Sequence, residues 1–551
     1  MMSRAAVLLV LALGVASVSA CGGSSDSNNT PTPAPTSAPA TTPPSNPGGT
    51  PAAGKVIDLA HDTPAVRIDG ADTGDFSNDM PLLVTGDVNG DGLADLLIGA
   101  RFGDGPNNSR EDAGEAYIIL GKKDLPPTLD LAVPQADITI YGAQGNGGAS
   151  QGDQLGFSGA LADVNGDGLN DIILGAPFAV RANSPVGAAY VIYGKASLPG
   201  VIDLAQTAPD VTMTGVNGSG FFGDSAASTD ANGDGISDVI IGSPFLNRAA
   251  DLPRPGQGAG GVFVFFGGDK LAGTHDASAG QFDLVVYGAE EFEGGDETGD
   301  NVAGGDLNND GIGDIAITSE AADGPDNSRS VAAQVDVIYG RKDLGGRLDL
   351  GAGDADVTIY GAEQNDTFGF NIGTADVNGD GITDLLASAR GGDGPNNRVQ
   401  EGGELHIFPG GHLPKTIDLA NYPDDIYLYG ADPADFLGNA LGGADFDGDG
   451  VNDLFVGSPG GDGPANDAFT FHDAGEAYIL DARNLHGGVN PLDVPPKVII
   501  YGAKPDDALG SSMAAGDMDG DGRPEVVVLA MRADGPDGSR KDAGTIYILK
   551  P

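Results

Sequence analysis

The stretch Asp87–Asp95 reads DVNGDGLAD, and this nine-residue pattern returns six more times along the 551-residue chain. The later copies read DVNGDGLND, DANGDGISD, DLNNDGIGD, DVNGDGITD, DFDGDGVND and DMDGDGRPE, and they begin at Asp163, Asp230, Asp306, Asp376, Asp445 and Asp517. Successive copies begin 67 to 76 residues apart, so seven units cover nearly everything after Gly54. Chain length alone would suggest several unrelated domains. A repeat of this length indicates instead one fold that is built from seven similar units.

Each unit contains four short apolar runs in the same order. In the first unit they are Leu82–Val84, Asp95–Ala100, Glu115–Gly121 and Ile138–Gly142. The runs are rich in Val, Ile and Tyr and are bounded by Gly, Asp and Pro, which is the composition of β-strands. Four strands in each of seven units predict an all-β fold, a seven-bladed β-propeller. A β-solenoid is the alternative, but these units are too long for one solenoid coil.

The two ends of the chain predict how the ring closes. The last unit supplies only three strands, at Ser512–Gly516, Val526–Leu529 and Thr545–Leu549. The missing outer strand is predicted at Ala65–Asp69, because it follows Ile57–Ala60, a phrase (IDLA) that precedes the fourth strand in other units. Pairing of this N-terminal strand with the last blade would protect an otherwise open sheet edge.

The first 54 residues have a different composition and are predicted to lie outside the propeller of residues 55–551. Residues 1–20 read as a signal peptide, since Arg4 precedes an apolar run too short to span a bilayer. The sequence before Cys21, Val-Ser-Ala, resembles a bacterial lipobox, which implies cleavage before Cys21 and lipid attachment to its thiol. An ordinary signal peptide that leaves a free cysteine is the alternative. Residues 21–54 are rich in Ser, Thr, Pro and Ala, as in a disordered tether.

The nine-residue pattern places side-chain oxygens at positions 1, 3, 5 and 9, a glycine for the turn at position 6, and a main-chain carbonyl at position 7. Hard oxygen ligands in a flexible loop favour Ca²⁺ over Mg²⁺. Position 12, where an EF-hand needs Glu, is apolar in all seven copies, so the bidentate carboxylate is expected at position 9. A set of hairpin turns is the alternative, but turns do not need converging carboxylates. The sequence therefore predicts up to seven Ca²⁺ ions.

The predicted metal ligands, with the carbonyl donor in fourth place for each loop, are Asp87, Asn89, Asp91, Leu93, Asp95, Asp163, Asn165, Asp167, Leu169, Asp171, Asp230, Asn232, Asp234, Ile236, Asp238, Asp306, Asn308, Asp310, Ile312, Asp314, Asp376, Asn378, Asp380, Ile382, Asp384, Asp445, Asp447, Asp449, Val451, Asp453, Asp517, Asp519, Asp521, Arg523 and Glu525. Two loops depart from the consensus, and we expect their calcium affinities to differ from the others. Asn309 replaces the glycine at position 4 of the fourth loop, and Glu525 replaces Asp at position 9 of the seventh.

The units resemble FG-GAP repeats, the repeats of the N-terminal propeller of integrin α subunits. The first phrase of that name is matched by Leu155-Gly156, Phe222-Gly223 and Phe368-Gly369, and the second by Gly175-Ala176-Pro177, Gly242-Ser243-Pro244 and Gly457-Ser458-Pro459. The first and fourth units depart, with Asn78-Asp79 and Asp300-Asn301 near the first phrase and Thr318-Ser319-Glu320 in place of the second. The resemblance implies calcium loops that join the first and second strands of each blade on its lower face.

Ten arginines fall in the loops between the predicted second and third strands, on the opposite face: Arg101, Arg110, Arg181, Arg248, Arg254, Arg329, Arg390, Arg398, Arg532 and Arg540. Arginine is suited to bidentate contact with a carboxylate or sulfate, so this face is a candidate ligand face for an acidic polymer or protein. The alternative, with equal support from the sequence, is that each arginine pairs with a neighbouring Asp and orders its loop.

The net charge and the lack of catalytic motifs limit the kinds of partner and activity that we expect. A net charge of −53 excludes nucleic acid and anionic lipid as partners, so membrane contact is expected only through the lipid anchor. The six histidines recur at no common place and no nucleophile motif is present, so the chain is predicted not to be an enzyme. We expect a monomeric, lipid-anchored, ligand-binding or adhesion propeller of the cell envelope, at the outer membrane or cell surface, with an unknown protein or polysaccharide ligand. A polysaccharide-acting enzyme with its site in the propeller mouth and a passive structural lipoprotein are the alternatives.

Overall fold

The computed structural model describes residues 54–76, 81–133, 135–146, 152–181, 184–216, 220–249, 258–289, 295–325, 328–422, 426–464, 472–494, 496–536 and 538–551. The predicted signal peptide, Cys21 and nearly all of the tether lie outside these residues. Among the described residues, no helix combines the length and apolar character needed to cross a membrane.

The described strands form seven five-stranded sheets, one for each blade, and an additional short hairpin. Blade 1 contains β3 (Leu83–Gly86), β4 (Asp95–Ala100), β5 (Glu115–Ile119), β7 (Ile138–Tyr141) and β13 (Val201–Asp203). Blade 2 contains β8 (Gly159–Ala162), β9 (Asp171–Ala176), β12 (Ala188–Ile192), β14 (Val211–Thr214) and β18 (Gly273–Asp276). Blade 3 contains β15 (Ala226–Thr229), β16 (Asp238–Gly242), β17 (Gly261–Phe265), β19 (Leu284–Tyr287) and β23 (Gly346–Asp349). Blade 4 contains β20 (Thr298–Gly305), β21 (Asp314–Ser319), β22 (Gln334–Ile338), β24 (Val357–Tyr360) and β28 (Thr416–Asp418).

Blade 5 contains β25 (Phe368–Ala375), β26 (Asp384–Ala389), β27 (Glu404–Phe408), β29 (Ile426–Tyr429) and β33 (Gly487–Val489). Blade 6 contains β30 (Ala440–Ala444), β31 (Asp453–Ser458), β32 (Glu476–Leu480), β34 (Val498–Tyr501) and β1 (Lys55–Asp58). Blade 7 contains β35 (Leu509–Gly516), β36 (Glu525–Ala530), β37 (Thr545–Leu549), β2 (Val66–Asp69) and β6 (Thr128–Asp130). The hairpin pairs β10 (Val180–Arg181) with β11 (Ser184–Pro185). Short 3₁₀ helices lie at Pro106–Asn108, Ala277–Ala279, Leu350–Ala352 and Leu419–Asn421.

The predicted seven-bladed propeller is confirmed. The first strands of successive blades contact one another in an unbroken circuit that returns from β35 to β3, so these strands surround the central axis. The second strand of every blade is buried along its whole length, because a neighbouring blade covers each of its faces. Seven apolar clusters fill the spaces between adjacent blades, and the cluster between blades 7 and 1 includes Ile68, Ile98 and Ile546. Every position-12 residue of the nine-residue pattern, such as Ile98, is fully buried.

The N-terminal strand closes the ring, as predicted. The strand β2 pairs antiparallel with β37, with Val66 opposite Ile548 and Asp69 opposite Thr545. A second N-terminal strand, β1, also pairs with β34 of blade 6 in parallel register, with Ile57 opposite Ile500. The chain before the first Asp loop is therefore divided between the last two blades and joins them to each other.

The fifth strand of each blade was not expected. From the sequence, the short phrases before the fourth strands, such as those around Leu129, Ile202 and Ile417, were interpreted as turns. In the structure each is a short strand that pairs in parallel with the fourth strand of the preceding blade. The middle apolar side chain is buried in each of the three. Each connection between the third and fourth strands of one blade therefore also forms the outer edge of the preceding blade.

The fourth unit needs a correction at its Phe-Gly position. Isolated parallel bridges place Leu155, Phe222, Thr298 and Leu509 at equivalent points of their blades. Thr298-Gly299, not Asp300-Asn301, therefore occupies the position of the first family phrase. Gly299 has a positive φ of 88°, and Gly223 and Gly369 have similar values of 95° and 82°. The backbone conformation of the phrase is kept although its aromatic residue is lost.

Candidate calcium loops and the opposite face

The seven Asp-rich loops all connect the first and second strands of a blade, as the family resemblance implies. Position 9 of each pattern is the first residue of the second strand. Because the strands of a blade alternate in direction, the loops between second and third strands lie at the other end of the propeller. We call these two ends the loop face and the mouth face.

The Asp at position 1 organises the backbone of each loop. Asp87 Oδ1 accepts hydrogen bonds from the backbone N–H of Gly90 at 2.6 Å, and Asp87 Oδ2 accepts one from Gly92 at 2.8 Å. The bond to the position-6 glycine recurs in the other six loops. These glycines have positive φ, 85° for Gly92, which favours glycine. Asn309, which replaces the position-4 glycine of the fourth loop, has a φ of 62°, so that turn is retained.

The carboxylate at position 9 is buried at the start of the second strand. Asp95 is fully buried and accepts hydrogen bonds from the backbone N–H groups of Val88 at 2.9 Å and Gly121 at 2.8 Å. Burial, reinforced by the nearby carboxylates Asp91 and Asp87, raises its pKa to about 6. Burial likewise raises the pKa of Asp238 and Asp314 to about 7. A cation beside these groups would favour their ionised form.

The oxygen atoms of these loops fit a divalent cation. Asn308 Oδ1 and Asp453 Oδ2, at positions 3 and 9 of their loops, are buried and have no hydrogen-bond partner among the described residues. In loops 6 and 7, one oxygen from each of the Asp residues at positions 1, 3 and 5 lies within 4.8 Å of the others. Acceptor atoms that lack donors, beside converging carboxylates, are the chemistry of a hard cation site. The residues at positions 1, 3, 5 and 9, with the carbonyl at position 7, would hold it.

Four of the ten mouth-face arginines are bound within the protein. Each pairs with the aspartate in the fifth strand of its own blade: Arg110 with Asp203, Arg248 with Asp349, Arg329 with Asp418 and Arg540 with Asp130. Each also donates to a carbonyl of the turn that follows the fourth strand: Gly142, Gly288, Ala362 and Gly70, respectively. Blade 5 lacks both partners, since Val399 stands at the arginine position and Asn490 at the aspartate position. These four arginines fasten the outer strands of blades 1, 3, 4 and 7 to their sheets.

Two other arginines lie on the mouth face, at the same point of their blades. Arg101 and Arg390 each directly follow a second strand. The guanidinium carbon of Arg101 lies 4.5 Å from the ring centre of Phe102 and 4.7 Å from that of Phe157. For Arg390 the corresponding distances are 4.8 Å to Phe370 and 5.0 Å to Phe436. Each guanidinium is therefore held between two aromatic rings from neighbouring blades.

The aromatic ring of Phe157 also begins a row of side chains across blades 2 and 3. Its centre lies 6.4 Å from that of Phe178, Phe178 lies 5.0 Å from Phe221, and Phe221 lies 5.1 Å from Phe245. All four rings are half-buried. On blade 4, after this row, one carboxylate oxygen from each of Glu297, Asp300 and Glu320 lies within 4.8 Å of the others.

Of the four remaining predicted mouth-face arginines, the structure describes the side chains of two. Arg398 and Arg532 are exposed. Arg181 lies in β10, its side chain is not described, and Arg254 is outside the described residues. The aspartate partners and the row of Phe rings were not predicted from the sequence. A usable signal was present for the aspartates: in three units the arginine follows the Asp of an Asp-Gly-Pro turn by six residues, and an aspartate recurs in the phrase before most of the fourth strands.

Comparison with known proteins bears directly on these repeats. The family model described as the FG-GAP repeat matches residues 82–119, 155–192, 222–265, 368–408, 437–480 and 509–549. Five of the matched ranges begin at the Phe-Gly position of a blade and the first begins at Leu82, just before β3. All six end with the third strand, and they belong to blades 1, 2, 3, 5, 6 and 7. This chain is an FG-GAP repeat propeller. Blade 4 of the FG-GAP propeller, with its altered phrases, is the blade outside the matched ranges.

Relatives of the FG-GAP propeller include phospholipases D and integrin alpha subunits. The phosphatidylinositol-glycan-specific phospholipase D of Dictyostelium discoideum is 26% identical over 373 residues, which are 65% of this chain and 37% of that protein. The corresponding protein of Rattus norvegicus is 30% identical over 38% of this chain and 23% of its own length. Integrin alpha-5 of Xenopus laevis is 28% identical over 43% of this chain and 20% of its own length. The chain thus spans well under half the length of these curated relatives.

Proposed function

We propose that this FG-GAP propeller is a calcium-stabilised, ligand-binding or adhesion module of the bacterial cell envelope, held to a membrane by a lipid on Cys21. The observation that carries the calcium part is the sevenfold recurrence of one loop that brings three or four carboxylates together, one of them buried at position 9. Their hydrogen bonds to backbone N–H groups do not cancel their mutual repulsion, whereas a bound cation would. Calcium would then brace the inner ends of adjacent blades. The chain has one cysteine, so no internal disulfide can take that role.

Paired variants within blade 4 test the calcium proposal. Asp314 is the position-9 ligand and Asp336 lies in the neighbouring strand β22, and both are almost fully buried. Asp314→Asn should lower the calcium stoichiometry, measured by equilibrium dialysis, by one ion per chain. Asp336→Asn removes an equally buried carboxylate and should leave that stoichiometry unchanged. Wild-type protein that binds no calcium after chelation and return to calcium would refute the proposal.

The mouth face is the proposed ligand site. Four of the predicted arginines form ion pairs with the outer strands. The candidate ligand site therefore consists of Arg101 in blade 1, Arg390 in blade 5 and the Phe row of blades 2 and 3. An arginine whose guanidinium lies over aromatic rings can bind a carboxylate or sulfate through its N–H groups, and half-buried rings can stack on sugars or apolar side chains. A protein or polysaccharide that combines an acidic group with an apolar face fits this chemistry.

An array of matrix proteins and acidic polysaccharides, probed with and without chelator, tests the ligand site. Arg101→Met and Arg390→Met should reduce binding by about tenfold or more, while Arg398→Met, at an exposed loop position, should not. Equal binding by all three variants would remove support for the mouth. Release of shortened products from the polysaccharides would instead favour an enzyme.

The lipid anchor has its own test. Cys21→Ser should move the protein from the membrane fraction to the soluble exported fraction, and the lipid should be visible as added mass on the wild-type N-terminal peptide. An unmodified cysteine on that peptide would refute the anchor.

A further inference from the structure

Loops 6 and 7 differ from the other five in one ligand. Position 3 is Asn in the first five loops but Asp447 and Asp519 in the last two, so these two loops carry four carboxylates instead of three. The same two loops are each contacted by a lysine from another part of the chain. Within the described residues, no lysine or arginine forms an ion pair with a predicted ligand of loops 1–5.

In loop 6 the ammonium group of Lys497 lies between two predicted ligands. Lys497 Nζ is 2.6 Å from Asp447 Oδ2 and 2.5 Å from Asp453 Oδ1, at positions 3 and 9. In most other blades the residue before the fourth strand is an aspartate, such as Asp137 or Asp356, that accepts a backbone hydrogen bond. Lys497 therefore reverses the usual charge at this point of the repeat.

In loop 7 the ammonium group of Lys550 contacts three predicted ligands. Lys550 Nζ is bonded to Asp519 and lies 3.0 Å from Asp521 Oδ2 and 3.6 Å from Glu525 Oε1. These residues are at positions 3, 5 and 9. Both lysines thus reach positions 3 and 9 of their loops, Lys497 from just before β34 and Lys550 from just after β37.

Loops 2–5 satisfy the position-9 carboxylate in another way. There the amide of the position-3 Asn donates to it, for example from Asn378 Nδ2 to Asp384 Oδ1 at 2.9 Å. Replacing Asn by Asp removes that donor and adds a negative charge. The lysine supplies both a donor and a compensating positive charge, which explains why the Asp and the lysine occur together.

Both lysines lie where the ring closes. The backbone N–H of Lys55 donates to the carbonyl of Lys497 at 2.8 Å, which begins the pairing of β1 with β34. Lys55 Nζ donates to the carbonyl of Lys550 at 2.6 Å. The two loops with a lysine therefore belong to the two blades that hold the N-terminal strands.

We propose that Lys497 and Lys550 act as built-in replacements for calcium in loops 6 and 7: each ammonium group neutralises the ligand carboxylates when calcium is scarce and must leave when calcium binds. This inference rests on the proposed calcium function. Two consequences follow. Loops 6 and 7 bind calcium more weakly than loops 1–5, and the closing blades remain ordered at calcium concentrations that empty the other loops.

Methionine variants test both consequences, because methionine keeps the length and apolar stem of lysine without its charge. In chelator, Lys497→Met and Lys550→Met should each lower the melting temperature relative to wild type, since the carboxylates at positions 3 and 9 then lose the ammonium group that they share. In loop 6, Arg483 remains 2.9 Å from the position-5 Asp449, so the smaller loss is expected for Lys497→Met. In calcium titrations each variant should convert one weak site to a tight one, with a gain of about tenfold or more in affinity. Lys122→Met is the matched control, because Lys122 contacts Asp137 and no calcium ligand.

Amine labelling of the wild type gives a readout that does not depend on the folding of a variant. Lys497 and Lys550 should react slowly with acetic anhydride in chelator and faster in calcium, while Lys122 and Lys195 should react alike in both. Unchanged labelling in protein that binds seven calcium ions, or Met variants with wild-type melting in chelator and wild-type calcium affinity, would overturn the inference and leave the calcium function standing. Failure of the wild type to bind any calcium would instead overturn the calcium function, and the melting temperatures in chelator would still test the lysine contacts.

Discussion

Replacing Arg248 with methionine should be the most damaging single change to the outer strands. The side chains of Arg248 and Asp349 are 2% and 9% exposed, and Arg248 Nη2 lies 2.7 Å from both carboxylate oxygens. Arg248 also donates to the carbonyls of Gly288 and Ala289. Arg248→Met leaves a buried carboxylate and two carbonyls without their donor. Removing one partner of a buried ion pair typically costs about 3–5 kcal/mol.

The size of the effect can be read from urea unfolding followed by far-UV circular dichroism, with calcium saturating so that the loops remain filled. The chain has no Trp, so tryptophan fluorescence is not an option. The unfolding entropy of a ring this large corresponds to about 1 °C in melting temperature for each kcal/mol, so a shift of about 3–5 °C is expected in a thermal scan. Lys195→Met provides the control: Lys195 and Asp210 are 53% and 32% exposed and 3.4 Å apart, a surface pair worth about 1 kcal/mol or less.

A double-mutant cycle separates the ion pair from simple loss of packing. Arg248→Met with Asp349→Asn removes both charges, so the double variant should be destabilised by less than the sum of the two single variants, with a coupling of about 1–3 kcal/mol. The reasoning is refuted if Arg248→Met costs no more than Lys195→Met, or if the two single effects are additive.

The other predictions concern the ring closure and the buried acids. Deleting residues 54–69 should expose the edges of β34 and β37 and remove the buried side chains of Val66 and Ile68, worth about 3–6 kcal/mol together, so light scattering should show oligomers that the full chain does not form. Deleting only 54–58 should have the smaller effect, since β1 covers the outer edge alone. Burial raises the pKa of Asp336 from 3.8 to about 6, so the folded state holds its proton more tightly than the unfolded state does. The wild type should therefore lose about 3 kcal/mol of stability as pH rises from about 4 to 6, and this part of the pH dependence should be absent in Asp336→Asn, as measured by urea unfolding at each pH. Val456→Asp, at a fully buried position 12, should abolish cooperative unfolding of the ring, and a variant that still melts in one transition near the wild-type temperature would contradict the assignment of that position to the core.

The number of blades, the position of each Asp loop and the strand that closes the ring could all be read from the sequence. These features depend on patterns that are local or that repeat. The acidic nonapeptide marks each loop, the four apolar runs mark the strands of each blade, and the strand that the last unit lacks is found near the N-terminus. Because every unit repeats the same local chemistry, each copy strengthened the interpretation of the others. The fourth unit was misread at Asp300 because its phrase had lost the aromatic residue that marks the register.

The tertiary structure alone decided which partners distant residues found. Arg248 and Asp349 are 101 residues apart, and Lys497 meets Asp447 across 50 residues, so no local pattern in the sequence shows that either pair is in contact. The fifth strands were read as turns because a three-residue strand has too little pattern of its own and becomes a strand only when the preceding blade offers an edge. The mouth row joins Phe157, Phe178, Phe221 and Phe245 for the same reason: in a propeller, the residues that meet around the axis come from different blades, and their contacts are set by the closure of the ring.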